Sequence, residues 1–224
     1  MQDIEYLAAL LDYDRSFDEP ARAQFEQLMA GARQEADTMS LAELYLLAAE
    51  ATALADNGHT NIGTAVQRDF NSVGVRYFSF QDGLYVVRAL AEHAPIIGAR
   101  VLEIDGQPID AVLADLNAYT GGPDQWRRLY GVHMLESAEI LHAAGLADSP
   151  DGYTLTLQDQ QGDTQQVGLT AHEPQTESTS PGKPWNILEA RALPDEGDAW
   201  VRSLQAESDD RRPIYLQHND QPYW

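Results

Sequence analysis

Two short apolar segments, separated by turn residues, constrain this chain more than any other feature. Residues 84–90 and 101–104 are rich in Val, Leu and Tyr; Asp82-Gly83 precedes the first segment and Asp105-Gly106 follows the second. Asp-Gly beside alternating apolar residues is a strong local signal for a tight turn between strands. The pattern predicts a small, twisted β unit around these residues.

Further segments extend this β unit. Residues 73–80 are rich in Val, Tyr and Phe, and Gln81-Asp82-Gly83 joins them to residues 84–90 as a predicted hairpin. Apolar residues alternate with polar ones at 153–157 and 167–169, which predicts a second hairpin. Residues 109–116 and 132–144 have helical spacing. Helices placed between strands of an antiparallel sheet predict an α+β fold.

Three helices are predicted before the β unit. Apolar residues recur at helical spacing in two segments of the first forty residues and again from 41 to 54. Ser16 and Glu19 match a capping box for the second helix, as do Ser40 and Glu43 for the third. Asn57-Gly58 is expected to end the third helix in the left-handed conformation.

Charge limits the possible partners. The 224 residues include 36 acidic and 14 basic ones, for a net charge of −22, and Lys183 is the only lysine. Nucleic acids and anionic lipids are bound through clustered Lys and Arg, so both are excluded as predicted partners. The acidity has two open interpretations, namely solubility in a salt-adapted proteome and attraction of basic peptides.

Other classes of protein are excluded by composition. The chain has no cysteine, which removes thiol catalysis, disulfides and cysteine metal sites. No apolar run approaches the roughly 18 residues of a membrane-spanning helix, and the N-terminus lacks the pattern of a secretory signal. Residues 172–200 contain several prolines among polar residues and are predicted to form a linker.

Three stretches together resemble a known family. They are Asn57-Gly58-His59-Thr60, the segment 98–108 and Arg212-Pro213-Ile214-Tyr215-Leu216. They resemble the tail-specific, or C-terminal-processing, serine peptidases of the tricorn-core-like branch. The three predicted helices form a helical region at 1–64. The resemblance spans residues 41–224 and implies a PDZ-like domain at 65–171 and the start of a truncated catalytic domain at 201–224.

The resemblance also implies a catalytic residue. In the tricorn-like branch a histidine at this point serves the catalytic serine as general base, and His59 is the matching position. Relatives that use a lysine base are a poor match, because Lys183 lies in a proline-flanked loop. The alternative for His59 is a helix cap or an ordinary surface histidine. No serine lies in a Gly-x-Ser-x-Gly elbow, so the nucleophile is not found in this chain.

A peptide site is implied by the same resemblance. PDZ-like domains add a peptide to a sheet edge and bind its C-terminal carboxylate through backbone N–H groups. The nearest match to that loop comprises Ser72, Val73, Gly74, Val75 and Arg76. The implied partners are therefore peptide or protein C-termini. The alternative is that these residues form an ordinary buried strand.

Residues 132–144 contain four potential metal ligands at regular spacing. His133, Glu136, Glu139 and His142 each lie three residues from the next. Steps of three rotate a helical side chain by about −60°, so the two histidines would lie on opposite faces. The segment is therefore predicted to be a surface helix, with no metal and no cofactor.

These observations predict the non-catalytic N-terminal portion of a serine peptidase, which positions peptides for hydrolysis by a domain outside this chain. The alternative is a stand-alone peptide-binding or adaptor module without peptidase activity. The family favours a periplasmic or secreted location. The oligomeric state is left open.

Overall fold

The N-terminal region is helical. The computed structural model describes residues 2–62, 69–173, 187–188 and 200–203, and the backbone of 217–218 and 221–222. Helices α1 (Gln2–Ala8), α2 (Leu10–Tyr13), α3 (Glu19–Glu35) and α4 (Leu41–Ala53) come first. The first predicted helix is thus divided at Ala9. The capping box of α4 is confirmed, because Ser40 Oγ accepts from the Glu43 amide and Glu43 accepts from the Ser40 amide.

Two details of the predicted helix ends were wrong. Asp18, rather than Ser16, caps α3, and its Oδ1 accepts a hydrogen bond from the Ala21 amide at 2.9 Å. The residue with positive φ after α4 is Asp56, at +47°, rather than Asn57 or Gly58. Asp18 directly precedes α3, which is the position of an N-cap residue. Asp56 can adopt the left-handed conformation because aspartate tolerates it better than most residues.

An antiparallel sheet follows the helices and confirms the α+β class. Its strands are β1 (Val75–Phe80), β2 (Gly83–Leu90), β3 (Arg100–Ile104), β4 (Gln107–Pro108), β5 (Gly152–Gln158), β6 (Thr164–Thr170) and β7 (Trp200–Arg202). The order is β1-β2-β3-β5-β6, with β4 beside β3 and β7 beside β2. Both predicted hairpins are confirmed, and β1 meets β2 at Phe80 and Gly83.

Two short strand pairs lie late in the chain. Strand β7 returns to the sheet and pairs with the end of β2, where Arg202 lies opposite Arg88. Strands β8 (Gln217–His218) and β9 (Gln221–Pro222) form a separate two-stranded sheet. The boundaries proposed for a linker and a catalytic domain remain predictions.

The helices within the sheet region differ in part from expectation. Helix α5 (Ile109–Leu116) is confirmed, and α6 (Asp124–Gly131) was not predicted. The predicted helix at 132–144 is instead a 3-10 helix (Val132–Glu136) followed by α7 (Ala138–Ala143). Ser137 divides them, because its hydroxyl accepts from the Ile140 amide as the cap of α7. Further 3-10 helices cover Ala91–Ile96 and Asn117–Tyr119.

Helix α4 joins the two hydrophobic clusters of the molecule. Ala42, Leu46 and Ala49 pack with the sheet and its helices, whereas Leu47 and Ala51 pack with α1 and α3. The N-terminal helices are therefore attached to the sheet region through a shared element. No helix in the described ranges has the length and hydropathy that crossing a membrane requires.

Candidate functional site

His59 lies on a short loop after α4. The side chain of Asn57 shapes this loop, because its Oδ1 accepts hydrogen bonds from the His59 and Thr60 amides, both at 2.9 Å. Asn61 Nδ2 donates to the Gly58 carbonyl at 2.8 Å. Such side chain-to-backbone bonds define a turn without regular secondary structure. The His59 side chain projects from it and is exposed to solvent.

The N-terminal region binds this loop through Asp14. Thr60 Oγ1 donates to Asp14 Oδ2 at 2.7 Å and accepts from Asn57 Nδ2 at 3.0 Å. The Ser16 hydroxyl and amide also donate to the Asp14 carboxylate. These hydrogen bonds, led by the one from the Ser16 hydroxyl, hold the pKa of Asp14 below its ordinary value. The loop is thus tied to residues more than forty positions earlier.

A second segment, residues 117–127, packs on the other side of the loop. Arg127 Nη2 lies 2.6 Å from Asp56 Oδ1, and the Gly122 amide donates to the same oxygen at 3.2 Å. Gly58 lies against the indole of Trp126 so closely that a Cβ there would be 2.7 Å from Cε2. Any larger residue at position 58 would force the Trp126 indole to shift.

Aromatic rings continue from His59 along α6. The His59 and Trp126 ring centroids are 6.2 Å apart with the planes inclined by 44°, and Trp126 stacks on Tyr130 at 4.5 Å. In the part of the chain that the structure describes, no side chain hydrogen-bonds the His59 imidazole. The His59 ring is therefore accessible to solvent, while hydrogen bonds fix the backbone of its loop. Among the described residues, neither a hydroxyl nor an orienting acid of a complete triad contacts that ring.

The loop predicted to bind a carboxylate is found at the start of β1, with its amides already engaged. The Ser72 amide donates to the His172 carbonyl at 2.9 Å, and the Val73 amide donates to the Glu136 carbonyl at 3.0 Å. The Gly74 amide reaches the Ser72 hydroxyl at 3.2 Å. The arrangement matches the alternative of a buried strand entry.

The side chains of this loop are also largely enclosed. Val73 and Val75 are fully buried, Arg76 is 3% exposed, and the Arg76 guanidinium lies 4.8 Å from the centre of the Trp200 ring. Gly74 has a φ of +67° and contacts the Leu90 side chain. Carboxylate binding by residues 72–76 stays a prediction, and it requires at least one amide to exchange its present partner.

A buried polar cluster was missed from the sequence. His133 and Glu136, predicted on a surface helix, are 3% and 2% exposed, and His133 Nδ1 lies 3.1 Å from Glu136 Oε1. The prediction of a surface helix was therefore wrong for this half of the segment. Among the described residues, no group of three or more potential ligands could hold a metal.

Two tyrosines complete the buried cluster. Their hydroxyls, on Tyr77 and Tyr153, lie 2.7 Å apart, and the Tyr153 hydroxyl donates to the Leu135 carbonyl. Burial raises the pKa of both phenols far above the ordinary value, and the nearby Glu136 adds to the effect. The sequence signal that could have revealed this cluster was polar tips on otherwise apolar strands.

Comparison with known proteins rests on the fold. No protein-family model matches the sequence, and no curated protein matches it. Among solved structures, mature CPAF is similar with a TM-score of 0.52 and 19% identity, over 76% of this chain and 34% of that one. CPAF is described as a chlamydial protein with a tail-specific protease-like fold. The fold of this chain is therefore similar to that of part of CPAF.

Two further CPAF structures agree. A mutant of CPAF is similar with a TM-score of 0.51 and 19% identity, over 83% of this chain and 36% of that one. CPAF complexed with lactacystin is similar with a TM-score of 0.51 and 19% identity, over 76% of this chain and 34% of that one. The chain spans about a third of the length of CPAF. At this identity the likeness to CPAF establishes a distant structural relation.

Proposed function

We propose that this chain is the non-catalytic N-terminal portion of a serine peptidase of the C-terminal-processing type. In the proposal, His59 is the general base for a serine supplied by residues outside the chain. The observation that carries it is the fold likeness to CPAF over most of this chain and about a third of CPAF. The exposed His59 ring on a loop held by Asn57 and Asp14 supports the assignment.

The proposed chemistry is acyl transfer. The unprotonated imidazole of His59 takes the proton of the serine hydroxyl while the serine oxygen attacks the peptide carbonyl. The imidazolium then gives that proton to the leaving amine as the C–N bond breaks. Water hydrolyses the acyl-enzyme by the same base-assisted route. The loop contributes a fixed position for the imidazole, and the nucleophile, oxyanion donors and orienting acid come from elsewhere.

A serine-directed fluorophosphonate probe tests this assignment. We expect no labelling of the 224-residue chain, and labelling of one serine in the chain extended by the coding sequence that follows it. In the extended protein, His59→Gln should slow labelling at least a hundredfold, because general-base catalysis contributes about 10²–10⁴ in rate.

His142→Gln is the matched control, because His142 is also exposed but lies on α7 and contacts the Ala147 carbonyl. It should label at the parent rate. Labelling of a serine within the 224 residues would contradict the proposal that the nucleophile lies outside this chain. Equal rates for both histidine variants would remove His59 from the mechanism.

The predicted peptide site has its own test. If residues 72–76 bind a terminal carboxylate, peptides with a free C-terminus should bind in preference to amidated copies, and basic peptides should bind best to a chain of net charge −22. Binding is measured by fluorescence anisotropy. Because the Ser72, Val73 and Gly74 amides have intramolecular partners, the result also shows whether that loop rearranges.

The alternative function is a stand-alone peptide-binding or adaptor module. It is favoured by one observation, namely that no hydroxyl contacts the His59 ring within the described ranges. An adaptor would bind peptides with equal affinity in the parent and His59→Gln chains, and no extended form of it would react with the probe.

A further inference from the structure

The two edge strands of the main sheet differ in solvent exposure. At the β1 edge, Val75 and Tyr77 are fully buried, and the 3-10 helix Val132–Glu136 packs against the strand. Strand β6 forms the opposite edge, and residues 164, 165, 166, 168 and 170 are exposed. Gly168 is open, because a Cβ there would meet no atom within 4 Å. No described residue covers the β6 edge, which is accessible to another strand in this part of the chain.

The hydrogen-bond phase of β6 follows from its pairing with β5. The Ala171 amide donates to the Asp151 carbonyl, and Asp163 accepts from the Asp159 amide. Peptide groups alternate in direction along a strand, so odd-numbered residues bond to β5. The amides and carbonyls of Thr164, Gln166, Gly168 and Thr170 consequently point away from the sheet.

Within the described residues 152–170, the β5–β6 hairpin lacks the sequence features that usually prevent edge pairing. Its two strands pair over seven consecutive residues without a bulge, and they contain no charged residue and no proline. Charged residues make up 22% of the whole chain. Natural edge strands usually carry lysine, proline, an inward charge or a bulge. An uncharged, regular, exposed edge is suited to strand addition.

We propose that β6 pairs with β6 of a second copy of this chain, antiparallel and centred on Val167, so that one sheet continues through both molecules. In this register Thr164 lies opposite Thr170 of the second copy, and Gln166 lies opposite its Gly168. Each residue whose amide and carbonyl point away from β5 then lies opposite another such residue, and the two strands exchange about eight backbone hydrogen bonds. The two Val167 side chains meet on the twofold axis as a β-branched pair.

The side chains of the edge favour a second copy over a charged peptide. No charged residue lies opposite another within the paired strands, and the missing side chain of Gly168 leaves space for Gln166 of the second copy. A basic peptide would be attracted by the overall charge of −22 but would find no acidic side chain on β6 itself. The twofold pairing uses all four outward-facing residues.

The dimer is expected to be weak and dependent on salt. Pairing one seven-residue edge buries less than the roughly 1,200 Å² of a stable interface. Each chain also carries a net charge of −22, so the copies repel each other at low ionic strength. Added salt should strengthen dimerisation until the charges are screened, which is opposite to the behaviour of an interface held by ion pairs.

Sedimentation velocity of the 224-residue chain tests the dimer. We expect the mass to rise from 24.8 kDa toward twice that value as the protein concentration increases, and to rise further at 0.5 M than at about 0.05 M salt. Gln166→Pro removes one outward amide at an exposed edge, where proline is tolerated. It should weaken dimerisation at least tenfold. Gln166→Ala keeps the amide and should stay within twofold of the parent.

Circular dichroism must show that the proline variant retains its sheet. If it does not, Gly168→Asp replaces it, because the new side chain enters open space and adds charge near the axis. This variant should also weaken dimerisation at least tenfold. A parent chain that stays monomeric at millimolar concentration would overturn the proposal.

Hydrogen exchange identifies the surface. The amides of Thr164, Gln166, Gly168 and Thr170 should exchange at least tenfold more slowly at high than at low protein concentration. The Gln165, Val167 and Leu169 amides, which face β5, should not change. A dimer without this alternation would overturn the proposal. Protection of the even-numbered amides by an added peptide, with none from concentration, would assign the edge to a peptide instead.

Discussion

The two histidine-containing clusters show opposite ways of organising polar side chains. Around His59, the His59 amide donates to Asn57 Oδ1 and the Thr60 hydroxyl donates to Asp14, which holds the loop and leaves the ring in solvent. Around His133, the side chain itself is enclosed and contacts Glu136 beside two tyrosines. The first arrangement leaves a side chain available for chemistry. The second uses polar groups to hold strand β5 against the segment 132–136. We therefore expect substitutions in the His133 cluster to lower the free energy of unfolding more than substitutions around His59.

The largest predicted effect is alkaline unfolding. Burial raises the pKa of Tyr77 and Tyr153, so the folded state keeps both protonated where an unfolded chain would ionise. Their stabilising contribution is complete below the ordinary pKa of about 10 and is lost as pH rises above it. Each contributes a slope of about 1.4 kcal/mol per pH unit, or about 2.7 for the pair.

Urea titrations between pH 9 and 12 measure this slope. The double variant Tyr77→Phe, Tyr153→Phe should reduce the slope of unfolding free energy against pH by about 2.7 kcal/mol per pH unit. Tyr6 and Tyr13 are 86% and 83% exposed, so their double replacement by Phe should leave the slope unchanged. Equal slopes in both double variants would mean that the buried phenols do not control alkaline stability.

The next effect concerns the same hydroxyls at neutral pH. Tyr153→Phe leaves the Leu135 carbonyl and the Tyr77 hydroxyl buried with one partner fewer. Such a loss costs about 1–3 kcal/mol of unfolding free energy. Chemical denaturation at pH 7 measures it. Tyr6→Phe is the control and should change the free energy by less than about 0.5 kcal/mol.

A smaller effect is expected in the His59 loop. Gly58→Ala places a methyl group against the Trp126 indole, which must shift within a partly exposed site, and should cost about 1–2 kcal/mol. Gly31→Ala is the matched control, because Gly31 lies in α3 with no atom near the new methyl group. That change should stabilise the chain by about 0.5–1 kcal/mol. Two effects of the same sign would show that the contact with Trp126 is dispensable.

The smallest effect concerns the hydrogen bonds that hold the loop to the N-terminal region. The lowered pKa of Asp14 means that its stabilising contribution is present above the ordinary pKa of about 4 and is lost as pH falls through the lowered value. Since Asp14 is only partly shielded from solvent, Asp14→Asn should cost under about 1 kcal/mol at pH 6. The difference from the parent should disappear near pH 2. A difference that persists there would point to another cause.

Local chemistry accounts for the parts of the fold that were predicted correctly. The capping box of Ser40 and Glu43, the hairpin turn at Gln81-Asp82-Gly83 and helix α5 each depend on residues a few positions apart. The missed features depend on distant partners. His133 is buried in the segment 132–136, which packs against strand β1 and whose Leu135 carbonyl accepts from the Tyr153 hydroxyl of β5.

The candidate sites divide in the same way. His59 could be selected from its position after a helix and from a family resemblance, whereas the bonds that hold its loop come from Asp14, 46 residues before Thr60. Residues 72–76 were selected as the nearest match to a carboxylate-binding loop, and that role stays a prediction. Only the structure shows that the Ser72 and Val73 amides donate to the His172 and Glu136 carbonyls.

The sequence by itself determined the α+β class, the hairpins, the main helices and the strongly acidic surface, because periodicity, turn chemistry and charge act over short distances or over the whole composition. Tertiary structure decided which polar groups are enclosed, which amides are engaged and which sheet edge is open. These properties arise when segments far apart in the chain exclude water from one another, and no local pattern encodes which segments will meet.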